Sequence, residues 1–336
     1  MKPKAIDLFC GCGGLTLGLK QAGFDVVGAV EIDALAAETY RMNHSEVHVW
    51  EEDITQLNTQ AAMKALKLKK GELDLVAGCP PCQGFSTMRT LNGGKRIKDE
   101  RNDLIFEFLR FVKDFEPKAI MMENVPGLID DKRFAKFCKE IESLGYVPNY
   151  GVENAADYGV PQRRRRTILL AGKGFKIDFA KPVKKKATVA DAIKKMPKAG
   201  KSGDHLHDMP ERRTKAVIER ISKIPKNGGS RTDLPFEEQL DCHKKCDGFK
   251  DVYGRMAWNK QAPTITSGCT NPSKGRFLHP TQNRAITLRE AALLQTFPKG
   301  YKFPKDRGKG DIALMIGNAL PPRFIKMHSK RIISFF

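Results

Sequence analysis

The sequence predicts an α/β fold: a largely parallel sheet wound with helices, joined to a smaller, irregular basic domain. Three observations carry this reading. Short apolar runs alternate with helical stripes, the early runs stop at glycines, prolines or acids, and the texture changes beyond residue 178. Residues 4–9 form a mostly apolar run ending at Cys10-Gly11-Cys12-Gly13-Gly14, after which Leu15, Leu19 and Ala22 recur at helical spacing up to Gly23. That is a strand, a tight glycine turn and a helix. Apolar runs at 26–30 and 73–77 end at Glu31 and at Gly78-Cys79-Pro80-Pro81-Cys82. Leu104, Ile105, Phe108, Leu109 and Val112 share one helical face, and a buried strand over 119–122 ends at Glu123. Phe134, Phe137, Cys138, Ile141 and Leu144 make another stripe, closed by Gly145. From 178 to 254 strand signals fade, and residues 178–260 carry 20 Lys and Arg against 12 Asp and Glu. Regular patterning returns with Leu288, Ala291, Ala292 and Leu294, and a last helix follows Pro322. The expected division is 1–177, 178–283 and a segment 284–336 returning to the first domain.

The chain has 336 residues, 40% of them hydrophobic, which excludes collagen-like, low-complexity and disordered classes. No apolar run approaches the about 18 residues of a membrane span. The N-terminus lacks a signal-peptide pattern, so a cytoplasmic protein with reduced cysteines is expected. The 59 Lys and Arg exceed the 39 Asp and Glu by 20, which favours a polyanionic partner, nucleic acid first.

The glycine turn lets a ligand approach backbone N–H groups closely. Glu31 follows Gly13 by 18 residues, near the spacing at which an acid reaches ribose hydroxyls, yet Thr16 stands where the third glycine of a dinucleotide fingerprint would fall. An adenosine cofactor without pyrophosphate, such as S-adenosylmethionine, fits this better. Taken alone, the turn reads almost equally as an ordinary structural loop. The segment Cys79-Pro80-Pro81-Cys82 suits a redox couple poorly, because neither proline donates a backbone N–H. Zinc would need distant ligands such as Cys242, His243 and Cys246. A single nucleophilic thiol at a strand end is the better reading, and no metal is expected.

Six segments appear in the order seen in the DNA cytosine-5 methyltransferases. They are 7–15, Pro81-Cys82-Gln83, Glu123-Asn124-Val125, the run 162–166 from Gln162 through four arginines, 284–298, and 317–322. The chain resembles that family everywhere except about 178–254. The resemblance implies a Rossmann-like S-adenosylmethionine-dependent methyltransferase sheet with a target-recognition domain, acting on C5 of a flipped-out cytosine in duplex DNA. It implies Cys82 as nucleophile, Glu123 as the acid contacting the cytosine, and Arg164 with Arg166 as a basic pair beside the base and its phosphate. The implied cofactor positions are Phe9, Gly11, Gly13, Gly14, Glu31, Ile32, Asp53, Ile54, Pro80 and Asn318. Gln83, Ser86, Asn124 and Gln162 are the implied substrate contacts; Arg231, in the basic region outside the resemblance, is a candidate because arginine can pair bidentately with a guanine. Residues 86–100 read as a loop closing on DNA, where Lys95, Arg96 and Lys98 meet phosphates. A monomer is expected, partnered by a cognate restriction endonuclease in a bacterial or archaeal cell.

Plainer readings stand beside these. Glu123-Asn124 resembles a helix cap, Asn102 likewise, and an arginine run is usually a solvated face whose alternation points two side chains in and two out. A tRNA cytosine-5 methyltransferase shares the thiol and cofactor motifs, although its Cys-Phe-Thr tripeptide is absent and Cys269-Thr270-Asn271 is the nearest approach. A silent DNA-binding protein on the same scaffold is the other alternative, opposed by the retained Cys82, Glu123 and arginines.

Overall fold

The computed structural model describes residues 2–81, 103–244, 248 and 250–336. The chain divides into two compact units, one of Met1–Tyr158, Arg165–Pro182 and Leu320–Phe336, the other of Gly159–Arg164 and Val183–Ala319. The stretch expected to return to the first domain from 284 onward therefore splits, with 284–319 grouped in the second unit.

The first unit is built on a seven-stranded sheet in the order β3-β2-β1-β4-β5-β7-β6. Its strands are β1 (Lys4–Leu8), β2 (Asp25–Glu31), β3 (His48–Glu51), β4 (Leu75–Gly78), β5 (Ala119–Asn124), β6 (Tyr146–Asn154) and β7 (Arg165–Lys173). β1 to β5 run parallel, as the alternation of strands and helices predicts, whereas β7 is antiparallel to both β5 and β6. The central strands β4 and β5 are buried along their whole length, which explains their uninterrupted apolar character. β6 tolerates Pro148 and Gly151 because it lies at the sheet edge.

Helices α1 (Gly14–Ala22), α2 (Ala34–Asn43), α3 (Thr59–Ala65), α4 (Leu104–Phe115) and α5 (Lys132–Ser143) connect the strands. α4 buries Ile105, Phe108, Leu109, Phe111, Val112 and Phe115, and α5 buries Phe134, Phe137, Cys138 and Ile141, matching the predicted stripes. α2, α3, β3 and β6 are not announced by periodicity. Their local signals are weaker: Asp33 and Asn58 cap α2 and α3 by accepting from Ala36 N and Ala61 N. The C-terminal helix Pro322–Ile333 lies against α1 so closely that a Cβ on Gly18 would fall 2.5 Å from Ile325 Cβ and 2.6 Å from Pro322 O.

The second unit has shorter elements and more loop. A small core of Ile221, Ile224, Leu234, Tyr253 and Leu278 sits beside the helix Lys215–Lys223. The helix Leu288–Leu294 begins with a capping box in which Thr287 accepts from Glu290 N and Glu290 accepts from Thr287 N. Arg255, fully buried, binds the unit together through backbone carbonyls.

Candidate active site

The carboxyl ends of β1, β2, β4 and β5 gather the chemistry of the first unit, where an open parallel sheet places its ligands. β1 leads into a turn with three left-handed residues, Phe9 at φ 62°, Gly11 at 53° and Gly13 at 90°. Such a backbone is sterically costly and needs ties from outside. Cys10 N donates to Val30 O at 3.0 Å, Gly13 N to Cys10 O at 3.0 Å, and Gly11 N to Glu31 Oε2 at 2.7 Å. Glu31 ends β2, its other oxygen accepts from Asp33 N at 2.9 Å, and burial raises its carboxyl above the ordinary range. Ile32, the next residue, is 67% exposed, an uncovered apolar side chain beside the turn's acid. A Cβ built on Gly11 would meet nothing within 4 Å, so the turn opens outward. Asp53 lies just past β3 and accepts from Thr55 N, and Ile54 is buried.

Asp7 lies beneath this turn and is fully buried. Its Oδ2 accepts from Thr16 N at 3.0 Å and Thr16 Oγ1 at 2.7 Å, whereas Oδ1 has no partner among the described residues. Burial pushes its carboxyl up to about 7. The native state thus holds this proton more tightly than the unfolded chain does. The associated stability is complete below about pH 4 and is lost as pH rises through about 7. Relative to Asp7→Asn, the wild type is expected to lose about 2–3 kcal/mol between pH 5 and pH 8, from roughly two pK units at 1.36 kcal/mol each. Denaturant midpoints of both proteins at the two pH values measure this, and parallel curves contradict it.

At the end of β5, Glu123 is 6% exposed and its Oε1 lies 2.8 Å from Arg166 Nε, which projects from β7. Gly78 of β4 pairs with Met122 of β5, so Cys79 and Glu123 leave the sheet as neighbours, and the Cys79 thiol hydrogen-bonds Glu123. Asn124 Nδ2 donates to Pro80 O at 2.9 Å and its Oδ1 accepts from Val125 N. The plainer capping reading fits neither residue: the short helix Pro126–Leu128 has Val125 at its N-cap with no side-chain cap, and Glu123 points into an ion pair.

The six described cysteines are free thiols. Burial, aided by neighbouring acids, pushes Cys10 and Cys79 well above the usual thiol range and Cys12 up to about 12. None of the three is a thiolate at neutral pH. The expected nucleophile Cys82 lies outside the described residues, as do Gln83, Ser86, Lys95, Arg96, Lys98 and Asn102. Pro81 is the last described residue before it, so the chain enters position 82 from the segment that Asn124 holds.

The arginine run alternates in exposure, although only its last two residues lie in β7: Arg163 and Arg165 are exposed, Arg164 is buried and Arg166 half-buried. Arg164 belongs to the second unit and donates to Ile265 O at 3.0 Å and Gly317 O at 3.1 Å. Gln162 is fully buried there, donating to Gln295 Oε1 and accepting from Ile265 N, both at 2.8 Å. Arg231 is 4% exposed and donates to Gly248 O at 2.6 Å. For these three side chains, reaching a substrate would mean breaking bonds to their own unit, and sequence spacing gave no sign of that engagement. Asn318 ends the helix Lys309–Asn318 of the second unit and is exposed. Sequence reasoning considered Cys79 only as half of a redox pair with Cys82. Its nearness to Glu123 follows from the β4–β5 register.

A Rossmann-like sheet that gathers a glycine turn, buried acids and the approach to a cysteine at one edge defines an S-adenosylmethionine-dependent methyltransferase. The sequence model of C-5 cytosine-specific DNA methylases matches residues 3–334, and the chain belongs to that family. It is an enzyme, a DNA (cytosine-5) methyltransferase, of a family whose methyl donor is S-adenosylmethionine. Among similar proteins, the Type II methylase M.HgiDII of Herpetosiphon aurantiacus is 38% identical, covering 98% of this chain and 95% of its own. The Type II methyltransferase M1.HphI of Haemophilus parahaemolyticus is 37% identical over 94% of this chain and 83% of its own. A prophage-encoded Escherichia coli protein described as a DNA modification methyltransferase superposes with a TM-score of 0.75 at 26% identity, covering 99% of both chains. Spodoptera frugiperda DNMT2 shares the fold, with a TM-score of 0.63 at 19% identity over 98% and 99%. Among the described residues no helix is long and apolar enough to cross a membrane, and no cluster of His, Cys, Asp and Glu could hold a metal ion.

Proposed function

We propose that the protein methylates C5 of a cytosine swung out of a short specific duplex DNA site, through a transient bond between Cys82 and C6. The observation that carries this is the ion pair of buried Glu123 with half-buried Arg166, beside the segment leading to Cys82. Cytosine C5 is too weak a nucleophile to attack a methyl sulfonium directly, so electron density must first enter the ring. The Cys82 thiolate adds to C6 while Glu123 hands a proton to N3, which neutralises the charge developing on the ring. Arg166 fixes the Glu123 carboxyl from the side. C5 then takes the methyl group, loses its proton to a base, and expulsion of the thiolate restores the C5–C6 double bond. Because a stacked base hides C6, the cytosine must leave the helix, at a cost of a few kcal/mol that protein contacts recover.

The turn 9–14 fits S-adenosylmethionine: it opens outward at Gly11, and Glu31 keeps lone pairs for ribose hydroxyls beside the uncovered Ile32. Phe9, Gly11, Gly13, Gly14, Glu31, Ile32, Asp53, Ile54 and Pro80 would hold the cofactor in the first unit. When bound, it supplies a methyl group activated on a sulfonium. The second unit is assigned target recognition, supported by its basic, loop-rich composition. The Type II relatives support a role as the modification partner of a restriction endonuclease in the cytoplasm of a bacterial or archaeal cell.

DNA carrying 5-fluorocytosine is expected to form a denaturant-stable adduct with the wild type and none with Cys82→Ser, because fluorine cannot leave as a proton does. Labelled S-adenosylmethionine should mark C5 of cytosine in DNA. Label confined to tRNA, or found at cytosine N4 or adenine N6, overturns the proposal.

A further inference from the structure

The glycine turn is tied from below by a residue that no motif includes. His44 closes α2, is 2% exposed, and has Tyr40 tilted against it at 56° with ring centroids 4.8 Å apart. Its Nδ1 lies 3.1 Å from Lys20 Nζ, on the last turn of α1. An ammonium only donates, so Nδ1 is the acceptor and the ring's proton sits on Nε2. That nitrogen donates to the backbone carbonyl of Gly13, which also accepts from Leu17 N at 2.9 Å. Burial, then the Lys20 ammonium, pushes the imidazole down to about 4, so His44 stays neutral and keeps both roles. A second tie runs parallel to it: Tyr40 Oη is 2.8 Å from Thr16 Oγ1, which donates to Asp7 Oδ2, so the tyrosine hydroxyl is the donor to Thr16.

We propose that His44 is a positioning residue for the cofactor: wedged between Lys20 and the Gly13 carbonyl, it holds the strained turn 9–14 in the form that receives S-adenosylmethionine. The physical reason is the backbone. With Phe9, Gly11 and Gly13 all left-handed, the turn has low-energy alternatives, and a carbonyl anchored at Gly13 removes them before the ligand arrives. A neutral imidazole suits the place because it accepts from the ammonium and donates to the carbonyl at once. This rests on the reading that the turn binds the cofactor.

Calorimetric titration with S-adenosylhomocysteine, the demethylated cofactor, tests it alongside turnover at saturating S-adenosylmethionine. His44→Phe keeps the ring against Tyr40 and loses both polar contacts. Its Kd is expected to weaken about ten-fold, the worth of one or two net hydrogen bonds, with kcat within about two-fold of wild type. His44→Gln, which restores a donor toward Gly13, is expected to recover most of the affinity. Lys20→Met, at the partly exposed end of the contact, should weaken Kd about three-fold through loss of the tautomer-fixing donor. An unaltered Kd in His44→Phe, or a glutamine variant as weak as the phenylalanine one, overturns the proposal. So does a His44→Phe that fails to fold combined with an unaltered Kd in Lys20→Met. A wild type that does not bind S-adenosylhomocysteine sinks the cofactor reading of the turn instead.

Discussion

Glu123→Gln is expected to lower single-turnover methylation by about 10²–10⁴-fold, the usual contribution of a positioned general acid. The substitution keeps the shape of a side chain that is 6% exposed at the end of β5, and an amide can still hydrogen-bond to a base. It cannot hand over a proton, and it cancels the charge that meets Arg166 at 2.8 Å. Affinity for S-adenosylhomocysteine should stay near wild type, because the turn 9–14 and Glu31 are untouched. The 5-fluorocytosine adduct should form slowly or not at all, since thiolate addition needs the proton at N3. A glutamine variant that turns over within ten-fold of wild type would remove Glu123 from the chemistry.

Arg255→Met is expected to destabilise the second unit by about 3–5 kcal/mol, the cost of breaking a buried charged network. The guanidinium is fully buried and donates to Ile224 O and His279 O at 3.0 Å, to Gln282 O and Ile221 O at 2.6 Å, and to Asn283 Oδ1 at 2.7 Å. Burial pushes it down to about 10, which still leaves it charged at neutral pH. Methionine fills similar volume but withdraws the donor from four carbonyls and an amide oxygen, of which, among the described residues, only Ile221 O and Asn283 Oδ1 keep another, from Ile224 N and Lys226 Nζ. Lysine retains the charge but lacks the planar fork that reaches the helix Lys215–Lys223 and the 279–283 loop together, so Arg255→Lys should recover little. Amide hydrogen exchange resolves the outcome: protection should fall in 183–319 and persist in β1, β4 and β5. Unchanged protection in the second unit would show that the carbonyls find other donors.

Much of the site was legible because its signals are local. Apolar runs that stop at Glu31, Gly78 and Glu123 place those residues at strand ends, and a parallel sheet brings strand ends to one edge. The stripes of α4 and α5 followed from the 3.6-residue period. Less visible were α2 and β3, whose apolar content is low. α2 matters nonetheless, because it delivers Tyr40 and His44 beneath the turn.

What the sequence determined by itself is the family and the order β1, α1, β2, β4, α4, β5 and α5 of the first unit. The tertiary structure decided the reversal of β7, the pairing of Glu123 with Arg166 and Cys79, the internal use of Gln162, Arg164 and Arg231, and the clasp of His44 on Gly13. The division has a physical cause. Periodicity and turn chemistry act over a few residues and leave a mark in composition. A hydrogen bond between residues 30 or 100 positions apart depends on strand register and packing, which no short stretch of chain encodes.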